Sequence, residues 1–179
     1  MKDYGLDLHG EMLLEEYNSQ KHLFLLLKNV VVKIFSEQMA QSHIDLNAME
    51  ARIKREDSLA GKLRRKGSKY QSLRDITDIL GVRLIAFYNE DVDRIAAITE
   101  SLFDIDWANS VDKRNMHQFD SFGYNSLHYI CKVPASLYSD PEHPELNEIR
   151  FELQMRTALQ HVWSAIQHDI GYKSEIETP

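Results

Sequence analysis

The strictest constraint in this sequence is the alternation of residue types in two short segments. In Glu148–Thr157, Ile149, Phe151, Leu153 and Met155 share one parity, and Arg150, Glu152, Gln154 and Arg156 share the other. In Asn125–Val133, Leu127, Tyr129, Cys131 and Val133 alternate with His128, Ile130 and Lys132. Strand side chains repeat every two residues, so both segments are predicted strands with one apolar and one largely polar face. The apolar face must pack on helices. The polar face stays open.

Helical elements to cover that face are present. Glu11–Met39 reads as one long helix or two, with Leu14, Tyr17, Leu25, Val32 and Phe35 at helical spacings. A strand is expected over residues 44–54 and another over Gly81–Tyr88. Between them Ser58 is the expected cap of a short basic helix closed by Gly67. Asp91 is the expected cap of a helix reaching Phe103, with Val92, Ile95, Ala96 and Leu102 inward. Residues 104–125, rich in Asp, Asn and Ser, read as a loop. Thr157 caps a last helix ending near Gly171, with Leu159, Val162, Trp163, Ile166 and Ile170 as its buried stripe. The predicted fold class is α/β (α+β): a mixed sheet with helices mainly on one face, preceded by a helical segment over residues 1–43, with residues 44–179 as one compact unit.

Composition narrows the class. The 179 residues suit one domain, and 43% hydrophobic with 27% charged residues is ordinary for a globular protein. Cys131 is the only cysteine, which excludes a disulfide framework and a four-cysteine zinc site. No stretch approaches the ~20 apolar residues of a membrane span. The acidic start, MKDYGLDLHGEMLLEE, is unlike a secretory signal, so a cytoplasmic location and no membrane partner are expected.

The net charge is −7, but Arg52–Arg74 holds nine basic residues against only Glu56 and Asp57. This segment therefore carries +7 and the remainder −14, a distribution that focuses field where a polyanion docks. A solvated helix face is the plainer reading of such a run. The polar sheet face can likewise be merely solvated. Alternatively Glu152, with Asp75 or Asp78 just before the strand at Gly81, can converge on one Mg2+, which prefers oxygen ligands shared with phosphates. Cationic clamp, metal on carboxylates and positioned nucleophile are together the recipe for phosphoryl transfer. Neither GxxxxGK[ST] nor GxGxxG occurs. His168-Asp169 is a lone HD pair without further ligands, and His161 and His168 read as surface or capping residues.

Four blocks in order carry a family resemblance: ARIKREDSLAGKLRRK (51–66), DITDILGVRLI (75–85), FGYNSLHY (122–129) and FELQMRTALQHVWSAIQHDIGYK (151–173). Together they resemble the synthetase domain of RelA/SpoT proteins over about residues 44–173. The resemblance implies a nucleotidyltransferase-like fold and transfer of pyrophosphate from ATP to the 3′-hydroxyl of GDP or GTP, giving AMP and (p)ppGpp. It implies Asp78 and Glu152 as the catalytic, Mg2+-binding acids, with Glu152 a ligand or the base. Arg52 and Arg83 match arginines that sandwich adenine, and Lys54, Ser58 and Lys62 match contacts to the ATP phosphates. Tyr124 matches the residue stacking on the acceptor guanine; His128, Gln154 and Lys113 are the further expected acceptor residues. Asp120 and Phe122 replace the Lys and Asn or Ser common before the tyrosine, with Lys113 and Arg114 upstream. Relatives that modify the 3′ end of tRNA make tRNA the alternative acceptor. A non-catalytic nucleotide- or RNA-binding module is the other rival, disfavoured by the presence of both acids. Some small relatives assemble in fours, so a homo-oligomer is compatible, although nothing in this sequence specifies one.

Overall fold

The computed structural model describes residues 3–112 and 126–174, with side chains described as far as Ile166. The long N-terminal pattern is one helix, α1 (Leu8–Gln41), capped by Asp7, whose carboxylate accepts from Gly10 N at 2.8 Å. It is followed by β1 (Leu46–Ile53), α2 (Glu56–Lys66), β2 (Leu80–Ala86) and α3 (Asn89–Leu102). Two short strands, β3 (Asp104–Ile105) and β4 (Val111–Asp112), come next. Then follow β5 (Leu127–Lys132), β6 (Phe151–Thr157) and α4 (Ala158–Ser174).

The strands form one mixed sheet in the order β1-β2-β6-β5-β3, with β4 also paired to β5. β2 and β6 run parallel, and every other pairing among the described residues is antiparallel. The expected alternation is present: Phe151, Leu153 and Met155 are fully buried, while Glu152, Gln154 and Arg156 are only partly covered. The apolar face packs on α1 and α3. Leu13, Tyr17, Phe24, Leu27, Val31 and Phe35 of α1 share a single core with Leu80, Leu84, Phe151 and Leu153 of the sheet. Burial of each such side chain is worth about 1.5–3 kcal/mol. The Tyr17 hydroxyl also donates to the Lys54 carbonyl at 2.6 Å, tying α1 to the end of β1.

Several expected boundaries shift. α2 is capped by Arg55 rather than Ser58, and starts at Glu56. The acids at positions 56 and 57 sit where first-turn N–H groups lack partners, and Asp57 Oδ1 accepts from Ser58 N at 2.6 Å. Gly67 follows the helix as expected but stays right-handed and opens a 3-10 turn over Gly67–Lys69. α3 starts at Asn89 after Tyr88, so Asp91 lies inside the first turn and pairs with Arg94 at 2.9 Å. β2 stops at Ala86, leaving Phe87 and Tyr88 exposed. The region expected as a loop contains β3 and β4, two-residue pairings too short to show a period. α4 runs on to Ser174.

The largest departure concerns the stripe on α4. Leu159 is 80% exposed, and Val162, Trp163 and Ile166 are also exposed. The main contacts of α4 are with β2 and β6, and among the described residues this face is left open. Ile170 lies outside the described side chains. No helix among the described residues is long and apolar enough to cross a membrane.

Candidate active site

Strand register builds the site. One row across the open face reads Glu50, Arg83, Gln154, His128; the next reads Arg52, Gly81, Glu152, Ile130. Gly81 therefore leaves the row between Arg52 and Glu152 without a side chain, and a Cβ there would meet nothing within 4 Å. A cavity of about 310 Å³ stands over these rows, lined by Glu50, Arg52, Lys54, Ser58, Asp78, Arg83, Glu152 and Gln154. A wider groove lined by Lys54, Ser58, Lys62, Arg65, Lys66 and Asp78 continues from it along α2.

The two acids expected to converge are brought to one cavity. Asp78, just before β2, and Glu152, on β6, line the same cavity, and the Asp78 charge is felt at Glu152. Asp78 is clamped by two ammonium groups, Lys54 at 3.0 Å and Lys62 at 2.7 Å. Burial pushes its pKa up, but the bonds from Lys62 and Lys54 outweigh burial and hold the carboxyl below its usual range. Lys62 is raised in turn, because Asp78 overcomes the cost of burial. Asp75, the other acid considered, does not belong here. Its Oδ2 accepts from Gln71 N and Ser72 N, both at 2.9 Å, and closes a capping box.

Glu152 is held below its usual range first by His128, whose Nδ1 lies 3.2 Å from Oε1, against the opposing effect of burial. Gln154 Nε2 donates to the same oxygen at 3.2 Å. Both bonds fall on Oε1, which leaves Oε2 to take a cation or a proton. The other ring nitrogen of His128, Nε2, is hydrogen-bonded to the Ser126 hydroxyl at 2.8 Å. Arg83 donates through Nε to Gln154 Oε1 at 3.2 Å and through Nη1 to Glu50 at 2.7 Å. A continuous hydrogen-bonded chain thus crosses the sheet from Glu50 to Ser126.

The structure gathers Arg52, Lys54, Ser58, Asp78, Arg83, Glu152 and Gln154 at one cavity, adds Lys62 through Asp78, and joins His128 through Glu152. Lys113 and Tyr124, with Arg114, Asp120 and Phe122, lie outside the described residues. The side chain of His168 does too. Sequence reasoning missed Glu50 and Ser126 as members of the network, and did not single out Arg156 beside it. Arg156 was legible as a fourth residue on the polar face. Its Nε is buried without a hydrogen-bond partner, as is Nδ1 of His161 in the first turns of α4. Burial lowers the pKa of both groups, and the neighbouring arginines lower them further.

Among the described residues no three or more His, Cys, Asp or Glu side chains gather around one point. The donor set is two carboxylates. That fits a hard divalent ion that takes its remaining ligands from phosphate oxygens and water, and it does not fit zinc.

A mixed sheet flanked by helices, with paired acids among arginines and lysines on its open face, defines an α/β protein with its charged site on the uncovered side of the sheet. The chain belongs to the RelA/SpoT family: the family model described as the region found in RelA / SpoT proteins matches residues 51–177. It is 26% identical over 144 residues to the GTP pyrophosphokinase YwaC of Bacillus subtilis (strain 168), covering 79% of this chain and 65% of that protein. To the GTP pyrophosphokinase YjbM of the same organism it is 28% identical over 132 residues, covering 73% and 59%. It thus spans less than two thirds of the length of these two relatives. The crystal structure of the small alarmone synthetase 1 from Bacillus subtilis bound to its product pppGpp shares the fold. The TM-score is 0.69 at 20% identity, over 92% of this chain and 84% of that one.

Proposed function

We propose that this chain is an alarmone synthetase that moves the β,γ-pyrophosphate of ATP to the 3′-hydroxyl of GDP or GTP in the cytoplasm, yielding AMP and (p)ppGpp. The convergence of Asp78 and Glu152 on one cavity, between Arg52 and Arg83 on one side and Lys54 and Lys62 on the other, carries the reading. Two relatives that are GTP pyrophosphokinases, and a neighbouring fold crystallised with pppGpp as its product, support it.

Each residue has a chemical task. Arg52 and Arg83 offer planar cations that stack on adenine, which lysine cannot imitate. Lys54, Lys62 and the Ser58 hydroxyl hold the triphosphate. The ammonium groups now paired with Asp78 are the counter-charge that a triphosphate takes over, and this exchange frees the carboxylate. Asp78 would hold Mg2+, with Glu152 either its second ligand or the base, and the ion when bound would supply charge neutralisation at the phosphate oxygens. Tyr124, Lys113, His128 and Gln154 orient the acceptor so that its 3′-oxygen meets the β-phosphorus in line. The bond between the α- and β-phosphates breaks, AMP departs, and Glu152 is placed to take the hydroxyl proton. Orientation of this kind supplies about 7–11 kcal/mol of the barrier.

The test is AMP release from labelled ATP with GDP, GTP or tRNA as acceptor. Guanine nucleotides are expected to support turnover. Wild-type rates in both Asp78→Asn and Glu152→Gln would overturn the assignment. Turnover with tRNA alone would move the acceptor, and ATP binding without any AMP would leave a binding module.

A further inference from the structure

We propose that Glu50 is a positioning residue for the base of the donor nucleotide: it holds Arg83 from the side, so that the flat face of the guanidinium stays open to a purine stacked against Arg52. The inference rests on the function proposed above and adds a residue which that reading does not contain.

Guanidinium geometry decides what each partner of Arg83 can cover. All the N–H bonds lie in the plane, so partners that accept from them occupy the edge and leave both faces unclaimed. Arg83 is held in this way from two strands. Glu50, its register partner on β1, takes Nη1 at 2.7 Å, and Gln154, its register partner on β6, takes Nε at 3.2 Å. An arginine anchored from both sides has already lost the rotamer freedom that stacking would otherwise cost.

Charge points the same way. Arg83 faces a second cation, Arg156, on the neighbouring row, with His161 of α4 beside them. Glu50 is the acid whose charge reaches both Arg156 and His161. Without it the repulsion between Arg83 and Arg156 is no longer offset from β1, and Gln154 is left to hold the guanidinium. The Glu50 carboxylate is 49% exposed, so its pair with Arg83 adds little to folding stability. An ion pair that does little for the fold, yet fixes a cavity-lining guanidinium, is explained by ligand binding.

The experiment measures equilibrium binding of ATP and of inorganic tripolyphosphate, with AMP formation followed separately. Glu50→Ala is expected to weaken ATP about ten-fold. Tripolyphosphate, which has no base to stack, is expected to bind as tightly as to the wild type. At saturating ATP the turnover number should change by less than about two-fold, so the defect appears in KM. Glu50→Asp keeps the charge and should recover part of the loss. In an Arg83→Ala background, Glu50→Ala should add nothing. Should Glu50→Ala fail to fold, the isosteric Glu50→Gln is measured in its place. Unchanged ATP affinity, an equal loss for tripolyphosphate, or full additivity with Arg83→Ala overturns the inference. So does a wild type that binds no ATP. A wild type that binds ATP without releasing AMP removes the catalytic reading alone, because the Glu50 effect is read from binding.

Discussion

The two faces of the sheet are made by the same strands and differ in almost everything else. On one face Leu80, Val82, Leu84, Phe151, Leu153 and Met155 are shut away from solvent beneath α1 and α3. On the other, one residue along in each strand, Arg83, Glu152 and Gln154 stay partly open and bond to one another. The first face holds the protein together by excluded water and close packing. The second adds little to stability, because its ion pairs are partly solvated, and holds instead an arrangement of charge. Stability and chemistry are therefore separable here, residue by residue.

The sharpest way to break that comparison is to cut the buried face. Phe151 is fully buried and packs edge-on against Phe103, with ring centroids 5.6 Å apart. Phe151→Ala should cost about 3–5 kcal/mol in urea unfolding. A loss below about 1 kcal/mol would show that the face is not the structural one. On the open face, Glu152→Gln should lower AMP formation by at least about a hundred-fold. Its thermal midpoint should stay close to that of the wild type, and a collapse of the fold would join the two roles that the faces keep apart.

A smaller effect lies at the sheet edge. Asp106 pairs with Arg150 at 2.8 Å and accepts from Asn109 at 2.8 Å. Burial pushes its pKa up, but the bonds from Asn109 and Arg150 prevail and the pKa is lowered. A lowered carboxyl stabilises the fold above its unfolded value of about 4 and loses that effect as the pH falls through the folded value. Asp106→Asn should accordingly flatten the acid side of a stability-against-pH curve and leave the neutral region less stable. An unchanged acid limb would remove this contribution. The smallest effect is expected at the stripe on α4. Leu159→Gln should alter stability by no more than about 0.5 kcal/mol, because no described element covers that residue. A larger loss would mean that the stripe is covered in solution.

Much of the fold was readable because alternation in β5 and β6 and helical spacing in α1 are local properties. Periodicity tells which residues share a face, and it does so correctly on α4 as well. It cannot tell whether anything lies against that face. β3 and β4 were invisible for another reason, since two residues have no period. At the site, residue types left Asp75 and Asp78 both open beside Glu152, the family blocks pointed to Asp78, and the turn that occupies Asp75 keeps that acid away from the cavity. Glu50 was hidden because its meaning comes from β1 lying beside β2 in a particular register, a fact about distant segments.

β2 and β6 form the parallel pair of this sheet, and Asp78 and Glu152 stand more than seventy positions apart in the chain. Parallel neighbours must wait for the whole crossover between them, here α3 and the strands that follow it. Long-range pairings of this kind are completed late in folding. A ribosome-bound fragment that stops short of β6 would carry the basic helix and the first acid without the second. On the proposed reading the growing polypeptide is inert until β6 has been made, and the appearance of AMP would serve as a clock for the pairing of β6 with β2.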